Sequence, residues 1–206
     1  MIWDINTRLF HLFLVILIIV SVISAKLEYY NIHEISGLTL FSILVFRIYW
    51  GIYGHYYSRF KNFNLSYSNV KLFLINKNVK YQGHNPLGSI SIITIFCTIF
   101  FLIITGLFST DDILYDGPLM KIFPKYSITM TKIHNLLHYF LYFIITLHIL
   151  VSLYYQFLKK NKIISQMIDG KSREKDFISM EISDKKTIIG LFILLTFTLL
   201  PSLVLL

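Results

Sequence analysis

The chain has 206 residues, of which 55% are hydrophobic and only 15% charged, against about 25% charged in a soluble domain; with a mean hydropathy of +0.65, this excludes a disordered polymer and an ordinary soluble fold. A formal charge of +8 would suit a nucleic-acid partner, but the basic residues lie in connections between apolar runs, where membrane orientation puts them. The single Cys97 excludes an intrachain disulfide, a zinc knuckle and a C-x-x-C-H haem attachment.

Between Arg8 and Lys26 nothing is charged, which predicts a first membrane helix over about 8–25. The run exceeds the h-region of a signal peptide, and Asp4 offsets Arg8 before it, so it reads as a membrane span and not as a cleaved leader. A second span, about 33–54, is broken only by Glu34 near its start and Arg47 well inside it. Runs uncharged over 87–109, 133–158 and 187–206 predict a third span over 87–109, a fourth over about 131–158 and a fifth over 187–206. Periodicity cannot subdivide them, because a helix among lipid and other helices is apolar all round. The expectation is one all-α domain over 1–206: an integral membrane bundle of four helices plus a fifth C-terminal transmembrane helix.

The connection 55–86 carries Arg59, Lys61, Lys71, Lys77 and Lys80 without an acid, and 159–186 carries eight basic residues. The connections after Lys26 and after Thr110 are poorer in lysine, and the latter holds Asp111, Asp112 and Asp116. The positive-inside rule therefore places loops 55–86 and 159–186, and the N-terminus, in the cytoplasm. Asn85 followed by Pro86 predicts a capped start for the third span.

Seven histidines occur, at 11, 33, 55, 84, 134, 138 and 148, five of them in or at the ends of predicted spans. An ionisable side chain at membrane depth is costly and faces the bundle interior, where it pairs, lines a pathway or binds something. His134 and His148 lie fourteen residues apart, which on a helix is about 40° in azimuth and about 21 Å in height. One helix face thus presents imidazoles at two depths, the upper level with His33 and the lower toward His11. Two imidazoles facing across a gap suit the two axial positions of a b-type haem iron. Gly37, one turn after His33, would remove bulk where a porphyrin edge approaches. Arg47 reaches the depth of His148; it reads either as a snorkelling side chain or as a guanidinium beside a propionate, since the spans offer no acid there. His138 with His134 could form an H-x-x-x-H pair, but two ligands fall short of the three or four of a zinc site, and His138 reads as a lining residue. His55 reads as a solvated interface histidine. His84 reads as part of a helix start or as a contact to a quinone or a propionate.

The segments WDINTRLFH (3–11), HEISGLTLFSILVFRIYWGIYG (33–54), GHNPLG (83–88), the pair Thr105-Gly106, HNLLHYFLYFIITLH (134–148) and MIDGK (167–171) resemble the bacterial cytochrome b561 and nickel-hydrogenase cytochrome b subunit family over nearly the whole chain. The resemblance implies two non-covalent b haems with His11, His33, His134 and His148 as axial iron ligands, and electron transfer between an outer-face partner and the quinone pool in the bacterial inner membrane. The partner would be a hydrogenase-like enzyme or a cytochrome c. Leu12 departs from the family's usual tryptophan, and His138 from a small apolar residue. Two other readings stand beside the electron carrier. One is a stand-alone superoxide:quinone-type oxidoreductase, for which Lys121, Lys125 and Lys132 would flank the outer haem. The other is a transporter whose histidines relay protons or a metal ion.

Overall fold

The computed structural model describes residues 1–75, 81, 83–110, 115–172 and 182–205, with side chains to Pro201. Among these residues seven α-helices follow in chain order: α1 (Ile5–Lys26), α2 (Tyr30–Tyr53), α3 (Tyr67–Ile75), α4 (Pro86–Leu107), α5 (Ser127–Leu153), α6 (Ile163–Asp169) and α7 (Asp184–Leu205). No strand occurs among the described residues. Among the described residues four helical stretches are long and apolar enough to cross a membrane: Ile5–Lys26, Tyr30–Tyr53, Pro86–Leu107 and the run Pro124–Leu158 that contains α5. The fold is an all-α membrane bundle, as the sequence predicts. The fifth expected span is the helix α7, which opens on three charged residues and lies along α2 and α1.

The helix boundaries have local causes. Asp4 caps α1, accepting from the Thr7 amide at 3.0 Å, so the helix starts three residues before Arg8. Asn85 caps α4 through the Gly88 amide at 2.7 Å with Pro86 in the first turn, as expected, since a proline there lacks a donor that would in any case be unpaired. α5 starts at Ser127, earlier than 131, because it continues a 3-10 turn over Pro124–Tyr126 that opens on a proline, and the Lys132 stem can carry its charge out along the helix. At its far end α5 widens into a π turn over Tyr154–Leu158. The connections expected as plain loops contain α3 and α6. Lys77, Lys80, Asp111, Asp112, Arg173, Lys175 and Leu206 lie outside the described residues.

α1 packs on α2, α4 on α5, and α2 joins the two pairs through α4, while α7 covers the other side of α2. The core is continuous across them, with Phe10, Ile43, Phe46, Trp50, Ile99, Ile144 and Leu194 buried. α5 makes its extensive backbone approaches to α4 alone among the long helices. Its Leu136, Tyr139 and Phe143 are 64 to 69% exposed, which suits a lipid-facing side. Toward α1 and α2 it presents side chains across a wider gap, and there the histidines lie.

Candidate functional site

At one end of the gap, His33 of α2 and His134 of α5 face each other with ring centroids 6.2 Å apart and planes at 87°. The Nδ1 atom of His33 lies 2.9 Å from the Ser21 carbonyl, and that of His134 lies 2.9 Å from the Leu102 carbonyl. A carbonyl can only accept, so both Nδ1 atoms carry the proton and both Nε2 atoms keep a free lone pair. This anchoring of one ring nitrogen is what orients a histidine to ligate through the other. Space is provided by two glycines. A Cβ at Gly106 would press on His134, 3.2 Å from Cε1, whereas one at Gly37 would meet nothing within 4 Å. Thr105 and Gly106, a pair without weight as a sequence motif, thus set the His134 ring, the threonine hydroxyl lying 3.3 Å from its Nδ1.

At the other end, His11 of α1 and His148 of α5 are half-buried and within electrostatic reach of each other. His84, from the turn before α4, reaches the same place and feels both Arg47 and His148. Its ring lies between Trp3 at 4.4 Å and Phe63 at 5.1 Å. Burial first, then the Arg47 cation and the competing imidazole of His148, lower its pKa to about 3, so it stays neutral at physiological pH.

Arg47 is 3% exposed, which sets aside the snorkelling reading. Its guanidinium lies over Phe60 at 4.6 Å and near Phe96 at 5.8 Å. Nη2 donates to the Ser58 carbonyl at 3.1 Å, and Nη1 is buried without a partner. The expectation that no acid lies at this depth is corrected, because Asp4, from outside the apolar run, comes within electrostatic reach of Arg47. Asp4 is itself buried, accepting from the Thr7 amide and hydroxyl, from Trp50 Nε1 at 3.1 Å and from the Ser58 hydroxyl. Sequence reasoning misses this cluster because its members come from three separate segments.

His55 is also corrected: it is 8% exposed, lies edge-on to Trp50 at 5.5 Å and bonds through Nε2 to the Thr187 hydroxyl at 3.1 Å. Burial is the largest cause lowering its pKa, against the attraction of Asp4. His138 packs on Tyr139 at 3.9 Å and Tyr142 at 5.4 Å. No group of three histidine, cysteine or acidic side chains converges on one point among the described residues.

The family described as prokaryotic cytochrome b561 matches residues 2–170, which takes in α1 to α6 and every histidine. The chain belongs to the prokaryotic cytochrome b561 family. Comparison with curated proteins and with solved structures finds no match. Membership makes this cytochrome b561 a multi-pass bacterial membrane protein, a b-type cytochrome that binds haem b and serves electron transfer.

The residues fit such a group. His33 and His134, with ring centroids 6.2 Å apart, would hold the iron of such a group through their ring nitrogens. Their free Nε2 atoms and the open space at Gly37 answer to a metal and a flat macrocycle, and at the other end of the gap the orphaned Nη1 of Arg47 answers to an anionic substituent. Bound haem supplies a one-electron couple; the chain's part is to hold it and to set the surrounding charge.

Proposed function

We propose that this cytochrome b561 carries two b haems, an outer one held by His33 and His134 and an inner one by His11 and His148, and passes electrons across the membrane between them. The observation that carries this reading is the His33–His134 pair, each ring fixed by a backbone carbonyl through Nδ1. His148 follows His134 on the same helix at about 21 Å and lies within electrostatic reach of His11 at the second depth. Arg47 is the neighbour of the inner haem, its free Nη1 being the donor for a propionate. With loops 55–86 and 159–186 cytoplasmic by their basic residues, the N-terminus is inside, α7 crosses outward, and the His33–His134 end faces the periplasm.

Electrons then move between a periplasmic or membrane redox partner, a hydrogenase-like subunit or a cytochrome c, and the quinone pool. The stand-alone superoxide:quinone-type reading has one supporting observation, that Lys121, Lys125 and Lys132 are all exposed at the His134 end, where they would draw a small anion. The test is haem content with spectroscopy. Purified protein should contain two haems per chain and give a reduced-minus-oxidised spectrum of six-coordinate b type. A single haem, or a five-coordinate spectrum, contradicts the two-pair assignment, and no haem at all would restore the transporter reading.

A further inference from the structure

We propose that Ser58 is a positioning residue that keeps the Arg47 guanidinium from pairing with Asp4, so that one of its amine groups stays unpaired and available to an inner haem. The inference rests on the reading that an inner haem lies between His11 and His148.

Arg47 and Asp4 are buried opposite charges at 3% and 2% exposure, and such a pair ordinarily closes into a direct fork. Here it does not, and the hydrogen bonds give the reason. A carboxylate offers about four lone-pair positions. On Asp4, Oδ1 takes the Thr7 amide and Trp50 Nε1, while Oδ2 takes the Thr7 and Ser58 hydroxyls. Nothing is left for an arginine. Ser58 works at both ends, its hydroxyl filling the last place on Asp4 and its carbonyl receiving Arg47 Nη2 at 3.1 Å. At 1% exposure, with its hydroxyl also 2.9 Å from that of Thr7, it has little freedom to shift. Phe60 and Phe96 flank the guanidinium. The outcome is a buried cation held by one amine, with Nη1 left unpaired.

The role can be separated from a charge effect because serine is neutral. In Ser58→Ala a lone pair of Asp4 is freed, Arg47 turns toward it, and positive charge moves away from the inner iron without any change in net charge. A cation near the iron favours the reduced state, so its withdrawal lowers the midpoint potential. The experiment is a redox titration of the purified haem-loaded protein as wild type, Ser58→Ala, Ser58→Thr and Arg47→Leu, with haem content measured on each.

The expected result is a lower inner midpoint in Ser58→Ala, shifted in the direction of Arg47→Leu and no further, an unmoved outer midpoint, and a wild-type value in Ser58→Thr, which keeps the hydroxyl. An unchanged inner midpoint in Ser58→Ala beside a lowered one in Arg47→Leu overturns the role of Ser58 and leaves the inner-haem reading intact. Unchanged midpoints in both variants overturn the Arg47 reading and this inference together. If Ser58→Ala fails to retain the inner haem, Ser58→Cys, with its weaker donor, takes its place: a partial lowering supports the role and a wild-type value overturns it.

Discussion

Replacing Asp4 with alanine is expected to destabilise the fold well beyond the loss of one helix cap. The cap itself, formed to the Thr7 amide, is worth about 1 kcal/mol. The larger loss comes from the groups left behind. Trp50 Nε1 and the Ser58 hydroxyl lose their acceptor inside a site where Asp4, Ser58 and Trp50 are 1 to 2% exposed. Arg47, 3% exposed, loses the attraction of a nearby acid to which it is not directly bonded, and each buried donor left without its acceptor costs about 1–3 kcal/mol. Since these terms share groups they do not add, and a total of roughly 3–5 kcal/mol is expected.

Asp4→Asn separates the parts. Its remaining oxygen can still accept from the Thr7 amide and Trp50, which must donate, while its new amide faces the Thr7 and Ser58 hydroxyls, which can turn to accept. It should recover the cap, about 1 kcal/mol, and stay less stable than wild type through the lost charge. Unfolding by sodium dodecyl sulfate in mixed micelles, followed by circular dichroism, gives both differences. A loss under ~1 kcal/mol in Asp4→Ala, the size of a cap alone, would refute the buried cluster as a source of stability.

His84 should make the protein acid-sensitive. Unfolded, it takes a proton below about 6.5, while folded it resists down to about 3, so its contribution is full above the former value and is lost as pH falls toward the latter; His84→Gln should flatten the acid limb of Tm against pH, and an unchanged limb would contradict this. Gly106→Val should lower haem content by about half, because a Cβ already stands 3.2 Å from His134 Cε1, whereas Gly37→Ala, with nothing within 4 Å, should leave apoprotein stability unchanged; haem assay and thermal scans read the two. A cytoplasm-dependent reporter fused after Leu206 should be silent, since α7 is expected to run outward, and an active fusion would reverse the orientation or lay α7 in the interface.

The spans were legible because an uncharged run of membrane length admits few other structures, and the start of α4 because Asn85 and Pro86 act within one turn. The matching depth of His33 and His134 followed from the direction of their helices, since both lie near the same end, and helical rise placed His148 deeper. What sequence order hid was long-range closure. Asp4 lies before the first apolar run, Ser58 in a basic loop and Arg47 inside a span, so no local pattern joins them. His55 looked solvated because it follows the end of the second span, yet α7 arrives from far along the chain and covers it through Thr187. Gly190 permits that docking, because a Cβ there would run into Asn6 and Trp50.

Haem stoichiometry in single histidine variants tests the central claim most directly. His11→Ala and His148→Ala should each lose about half the haem and keep the same residual spectrum, while His33→Ala and His134→Ala should each lose the other half and share a second residual spectrum. Full haem retention in both His11→Ala and His148→Ala, or a residual spectrum that pairs His11 with His33, would contradict the account.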